Sequence, residues 1–306
     1  MSVAEIDPRA LELQDTRDGH GGVWVDAWWR LRRNRGALVG FCLVGTFIII
    51  AIFAPLLAPY GPRDQNLALV AKGCCPGPSR EHWFGVDQLG RDELSRIMYG
   101  ARYSLLIGVV AVTTGMTVGL ILGAIAGYVG GAVDSVIMRC MDVMLAIPGL
   151  LFAIGIVALL GPGLYQIMVA VGVVNIPIFA RLLRGSVLAQ KETDFVLAAR
   201  AVGVPRRSIL SMHILPNSIS PLIVQGTLAM ATAIIDVAGL GFLGLGPQDP
   251  GTPEWGTMLT DVDRYLQSAP HLAIIPGVAI VISVLGFNLI GDGLREALDP
   301  KLRGRT

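Results

Sequence analysis

Charge is scarce in this chain of 306 residues: Asp, Glu, Lys and Arg make up only 15% of it, and they are bunched. Four stretches, 36–62, 103–133, 143–180 and 265–291, contain none of them. A soluble domain interrupts its helices with charge on the solvent face, so that class is excluded. A bilayer core takes roughly 20 apolar residues per helix, and each uncharged stretch therefore holds at least one span. Helices satisfy their own backbone hydrogen bonds, as hydrocarbon demands, and runs this long exceed a barrel strand. Also missing is any G-x-x-x-x-G-K-[ST] phosphate loop, so the chain has no means of its own to hydrolyse a nucleotide and is not read as an enzyme. Its four histidines, His20, His82, His213 and His271, are scattered and form neither a metal set nor a Ser/His/Asp order. Of four cysteines, Cys42 and Cys140 fall in or beside apolar runs and read as small buried residues. Cys74 and Cys75 are adjacent in a polar loop, too close in sequence for an easy bridge, and are expected to be unremarkable. No dense basic patch points to nucleic acid. A long polar stretch precedes the first apolar run, which is not how a signal peptide begins.

What is present reads as an all-α polytopic membrane protein with six spans. Residues 1–27 are expected to be a flexible tail. Residues 28–60 carry a collar of Trp28, Trp29, Arg30, Arg32, Arg33 and Arg35 and then span 1, which stops at Pro59, Gly61 and Pro62. The segment 61–100 is polar. Its later part, about 87–100, predicts a short helix: Asp87 with Arg91 and Asp92 with Arg96 are spaced i,i+4, acid first. Leu94, Ile97 and Met98 would lay that helix on the membrane surface. Span 2, about 104–128, carries Gly108, Gly115, Gly119, Gly123 and Gly127, a stripe that lets another helix approach closely. Gly161, Pro162 and Gly163 divide the longest uncharged run into spans 3 and 4, about 136–160 and 164–182. Span 5 is expected at about 219–243, span 6 at about 269–291, and a tail at 294–306. Six spans leave both ends on one side. Placing the tails and the 181–215 loop inside puts most of the 24 Lys and Arg there, as the positive-inside rule asks, the exceptions being concentrated in 61–102.

Two places carry candidate function. The stretch 193–221 reads as two short helices around a sharp turn: Thr193 or Asp194 caps the first, Gly203 stops it, and Pro205 opens a second that ends before Pro216. Ala198, Ala199 and Ala201 would keep one face of the first helix flat enough for another protein to sit against. Arg206 and Arg207 fall at a helix start, where the macrodipole disfavours positive charge, so lipid phosphates or acidic groups on a partner should compensate them. The second place is Asp236, the one acid deep in a predicted span. Exposing it to lipid is costly, so it either faces an aqueous path, packs by a hydrogen bond, or lies near the water boundary. The loop 247–268, with Asp249, Glu254, Asp261, Asp263 and Arg264, should face outside, as a docking surface or simply as a solvated loop.

Ala198-Ala199, Gly203 and Ile214-Leu215-Pro216 resemble the "EAA" loop of permease subunits in ATP-binding-cassette importers, with Leu197 standing where the motif has glutamate and His213 near its isoleucine. Phe84-Gly85-Val86-Asp87-Gln88-Leu89-Gly90-Arg91-Asp92 is similar to the segment before span 2 in C-type dipeptide and oligopeptide permeases. Gly241-Phe242-Leu243-Gly244-Leu245-Gly246 and Pro253-Glu254-Trp255-Gly256 resemble that family's block after span 5, with Gly241 in place of serine and Asp236 in place of glutamate. The resemblance implies a type I importer permease fold, with a core at 101–293 and a cytoplasmic coupling loop at 184–216. Ala198, Ala199, Gly203, Arg206, Arg207, Leu215 and Pro216 would then meet the ATPase, and Asp236 would face the translocation path. It further implies a second related permease, two ATPase subunits that hold ATP and Mg, and an external substrate-binding protein or lipoprotein, in a prokaryotic inner membrane. No cofactor is expected on this chain itself. Peptides are the expected cargo, although similar permeases also serve nickel chelates and other small solutes. A proton-coupled secondary transporter with Asp236 as carrier is the alternative, and a non-transporting scaffold or sensor a further one.

Overall fold

The computed structural model describes residues 23–71, 73–260 and 262–298. Among them the regular secondary structure is helical, apart from one isolated bridge between Val86 and Asp92. The principal elements are α1 (Val23–Arg33), α2 (Arg35–Leu57), α3 (Glu93–Val129), α4 (Gly131–Ala146), α5 (Gly149–Leu160), α6 (Leu164–Lys191), α7 (Asp194–Ala201), α8 (Arg206–Leu245) and α9 (His271–Leu298). Five of them, α2, α3, α6, α8 and α9, are long and apolar enough to cross a membrane, and the bent pair α4–α5 makes a sixth where it is counted as one broken span.

Several boundaries differ from the sequence reading, each for a local reason. Helix α1 begins inside the stretch expected to be a tail, and residues 1–22 lie outside the described residues. Its Ala27 and Leu31 pack with Ala37 and Ala297, so α9 runs on to Leu298, past the expected end of span 6; residues 299–306 are outside the description. Between α1 and α2, Asn34 leaves the helical region and accepts from the Ala37 N–H at 2.9 Å, an N-cap. The helix expected over 87–100 begins only at Glu93, capped by Asp92, and runs into span 2 without a break. At 37 residues α3 is roughly 55 Å long, well beyond a hydrocarbon core of about 30 Å, so its first turns stand clear of the span. Span 3 is two helices meeting at 94°. Pro148 forces the preceding Ile147 into extended backbone (φ −92°, ψ 130°), which ends α4.

The bundle is organised around α6, whose apolar window is 61% buried within the chain, against 33% for α2 and 28% for α9. Along α3 the glycine stripe meets the α6 backbone. A Cβ added at Gly115 would lie 2.6 Å from the Gly172 carbonyl oxygen, and one at Gly119 2.7 Å from that of Ile176. At Gly123 it would run into the Ala180 oxygen, and at Gly127 it would stand 3.0 Å from that of Arg184. A second close approach, Gly40 against the Gly286 carbonyl, joins α2 to α9. Arg184 pairs with Asp134 and Arg181 with Asp142, which holds α4 to the other side of α6. Cys42 and Cys140, expected to be buried, lie exposed on the isolated chain. Cys74 and Cys75 are joined to each other, contrary to expectation, and Cys75 packs into the buried cluster of Val262, Ala269 and Leu272.

Because Gly119 has no room for a methyl group, Gly119→Ala is expected to destabilise the protein by roughly 1–3 kcal/mol, the usual cost of overpacking. Gly45→Ala, with nothing within 4 Å, should be neutral or stabilising by up to about 1 kcal/mol. Melting temperatures of the two variants in one detergent check this; Gly119→Ala melting at or above the wild type would contradict the packing described.

Candidate functional site

The loop between α6 and α8 is built on a Schellman closure. Helix α7 starts after Thr193, whose extended backbone occupies the N-cap position without a side-chain capping bond; its hydroxyl donates back to the Gln190 carbonyl at 2.7 Å. At the other end the Gly203 N–H donates to Arg200 and the Val204 N–H to Ala199, while Gly203 takes φ +82°. Pro205 then sets the N-cap of α8. The second helix does not end before Pro216. It continues through a π-type turn, Ile209–Ile214, into the long helix. A π-turn widens the backbone by one residue, which makes room for a proline ring and for its missing N–H.

The residues expected to meet a partner divide into two groups. Ala199 is buried, packing inward with Val196, Ile209 and Ile214, and Leu215 is half-buried against the same cluster. Ala198, Gly203, Arg206, Arg207 and Pro216 are exposed. The outward face therefore holds one fewer alanine than the sequence suggested. Also exposed along the loop are large apolar side chains that sequence reasoning did not select: Phe195 and Leu197 (each 44% exposed), Met212 (72%) and Val202 (80%). Their neighbourhood is basic, and neither Arg206 nor Arg207 has an acidic partner among the described residues. Beneath the loop, Tyr128, Lys191, Arg200, Val204, Arg206 and Ile209 line an open cleft of about 500 Å³.

At the opposite end of α3 the charged segment 87–96 is not a surface helix but a buried network. Asp87 accepts from the Leu89 and Arg91 amides and pairs with Arg91 at 2.6 Å and Arg96 at 3.4 Å. Both arginines donate to the Pro250 carbonyl, and Asp92 caps α3 through Ser95 while lying 2.8 Å from His82 Nδ1. The loop after α8 turns back into this network. Glu254, expected in a solvated loop, is buried and accepts from the Gly256 and Thr257 amides and the Ser104 hydroxyl. Burial pushes its carboxyl above the usual range, and those three donors pull it back. Trp255 beside it donates to the Ile97 carbonyl at 3.1 Å and stacks edge-on against Phe47, in space that only the missing side chain of Gly100 leaves open. Asp249 is exposed, pairs with Arg63, and is held below the usual carboxylate range first by the Gly251 amide and then by that arginine. Asp261 lies outside the described residues. Asp236 sits half-buried on α8, between the exposed Ile235 and the half-buried Gly239, with no hydrogen-bond or ionic partner among the described residues.

Residues 119–304 match the family model described as the binding-protein-dependent transport system inner membrane component, and residues 22–71 match the N-terminal TM domain of oligopeptide transport permease C. The dipeptide transport system permease protein DppC of Alkalihalophilus pseudofirmus is 50% identical over 280 residues, covering 92% of this chain and 90% of that protein. The glutathione transport system permease protein GsiD of Salmonella typhimurium is likewise 50% identical over 281 residues, 92% of this chain and 91% of its own length. Among solved structures, a chain of the inward-facing MetNI methionine ABC transporter superposes with a TM-score of 0.55 at 19% identity, over 67% of this chain and 96% of that one, a likeness of fold. The chain belongs to the family of inner-membrane permease components of binding-protein-dependent transport systems, as an ATP-binding-cassette importer permease of the dipeptide and oligopeptide C type.

Proposed function

We propose that this chain forms half of a membrane path for short peptides, paired with a second related permease, and that two separate ATPase subunits drive it through the α7 loop. The observation that carries the reading is the outward face of that loop. Phe195, Leu197, Val202 and Met212 are each exposed along 195–212, and so are Arg206 and Arg207, which have no acidic partner among the described residues. Large exposed apolar side chains beside uncompensated basic ones on one loop fit an interaction site, and a partner carrying acidic groups would complement Arg206 and Arg207. ATP and Mg would be held by those partners. The loop would then lie on the cytoplasmic side with both chain ends, and the 87–96 network and Pro250 would face outward, toward the substrate-binding protein or lipoprotein. Two relatives are named for dipeptides and for glutathione, both short peptides with free amine and carboxylate groups, which favours cargo of that class. On this reading Asp236, half-buried and without a partner among the described residues, faces the aqueous path and meets the peptide amine.

Affinity purification from native membranes tests the assembly: a second permease and ATP-binding-cassette ATPases should accompany the chain. A chain that came out alone, and still transported in proteoliposomes without ATP, would sink this reading in favour of a proton-coupled carrier.

Gly203 tests the loop itself. A Cβ there meets no atom within 4 Å, so a substitution acts only through its left-handed backbone. A β-branched residue in that conformation costs roughly 1–2 kcal/mol, whereas asparagine is tolerated. Gly203→Val is expected to abolish ATP-dependent uptake with membrane insertion intact, and Gly203→Asn to retain most of it. Equal uptake by the two variants would count against a geometric role for the turn.

For Asp236, the expected result is a fall in peptide uptake of at least about tenfold in Asp236→Asn at matched protein levels, the equivalent of about 1.4 kcal/mol. Unchanged uptake in that variant would remove the charge from the path.

A further inference from the structure

We propose that Tyr128 and Lys191 form a strut through which the α7 loop acts on the α3/α6 pair, a positioning role that rests on the coupling function proposed above. Tyr128 lies in the last turn of α3, and its hydroxyl donates to the Arg206 carbonyl, at the first residue of α8, at 2.7 Å. Lys191 is the last residue of α6. Its ammonium donates to the Gly127 and Tyr128 carbonyls at 3.2 Å each and stands 5.8 Å from the centre of the Tyr128 ring. Those carbonyls belong to the C-terminal end of α3, where the helix has no N–H left to offer them and where its dipole favours a cation. Three elements thus meet at a single tyrosine: α3 carries it, α6 clamps its backbone and ring face, and α8 receives its hydroxyl.

The surroundings give this junction a mechanical meaning. One residue before it, Gly127 presses α3 onto α6, with an added Cβ only 3.0 Å from the Arg184 carbonyl and from Val187, so the two helices cannot slide past one another here. On the loop side the Schellman turn at Gly203 and Pro205 fixes α7 to the start of α8. Between these two firm units lies the open cleft of Tyr128, Lys191, Arg200, Val204, Arg206 and Ile209. Across it, the Tyr128 hydroxyl is the hydrogen bond from α3 to the loop among the described residues. A single neutral bond in a water-accessible cleft contributes little to stability. What it does supply is registration: it fixes where the first turn of α8 stands relative to the end of α3. Displacement of the loop by a partner would therefore reach α3 through this contact, and from α3 the buried network at Asp87, Arg91 and Arg96 near its other end.

Hydrogen–deuterium exchange of the complete complex purified from native membranes, with and without ATP and vanadate, tests the strut without knowledge of the cargo. In the wild type, nucleotide trapping should alter exchange both in the loop and in the first turns of α3. In Tyr128→Phe, which loses only the hydroxyl, the loop should respond as before while the response at the start of α3 falls at least about threefold. Lys191→Met should do the same or more, and the double variant should be no worse than Lys191→Met alone, because the two residues act through one contact. Exchange without nucleotide and the melting temperature should be unchanged in Tyr128→Phe, which separates positioning from a merely structural role. Full transmission in Tyr128→Phe, or a wild-type complex whose loop responds while α3 does not, would overturn the strut alone. Absence of ATPases from the complex, or of any response in the wild-type loop, would overturn the coupling reading together with the strut.

Discussion

Backbone touches backbone between α3 and α6, and the placement of the other helices depends on that contact. In a bilayer the lipid tails are as apolar as leucine, so helices gain little from the hydrophobic effect by leaving lipid for one another. Close packing and weak Cα–H···O contacts must do the work instead. Glycine in a helix costs about 0.5–1 kcal/mol relative to alanine, and α3 carries it at 115, 119, 123 and 127. The return is regular: these four glycines meet the carbonyls of Gly172, Ile176, Ala180 and Arg184, themselves four apart on the facing helix. A slip of one residue on either helix would set side chains against carbonyls all along the seam, so the register is specified as firmly as the contact. With α6 held on that side, the ion pairs from Arg181 and Arg184 fix α4 on another, and α8 packs across both through Ala229, Met230 and Ala233.

The spans were legible because each rests on a local property, the absence of charge over enough residues. Their interruptions were less so. Pro148 lies in the same uncharged run as Gly161-Pro162-Gly163, and composition alone makes the triplet the louder signal, so the 94° break at Ile147 went unread. Pro216 looked like a terminator, and would be one in a plain α-helix; the π-turn before it is a tertiary accommodation with no sequence mark of its own. The i,i+4 spacing of Asp87 with Arg91 reads as a helix surface. The two residues do pair, but in a turn that Pro250, more than 150 residues away, comes back to cover. Burial imposed from such a distance is invisible to periodicity. In the loop, by contrast, Gly203 and Pro205 were readable, since their conformational demands are their own. The inward turn of Ala199 was not, because it depends on what α7 packs against.

The two ends of α3 are held in opposite ways. At its start the charges are enclosed, and among the described residues no buried side-chain nitrogen or oxygen lacks a partner. Such a network is stiff: moving any member would strand another in a medium where an unpaired charge is expensive. At its end the polar contacts to the loop side are few and individually weak, a lysine on two carbonyls and one phenol hydroxyl. A helix welded at one end and latched at the other transmits displacement from the latched end without dissolving the weld.

Where the chain can bend follows from where its backbone has already left the right-handed region. Gly130 and Gly131 separate α3 from α4, Gly161 and Gly163 separate α5 from α6, and Gly244 loosens the end of α8, all at positive φ. None of these lies within the apolar seam of α3 and α6. The stripe glycines at 115, 119, 123 and 127 keep helical backbone and are pinned by the carbonyls they face, so the same residue type serves rigidity in the seam and compliance at its borders. A rearrangement of this fold that costs least therefore leaves α3 and α6 as one body and lets α4–α5 and the C-terminal end of α8 turn about it. That division follows from steric argument alone: hinge motions collect at the few positions able to absorb a change of φ and ψ, and in this chain those positions flank the central pair and spare it.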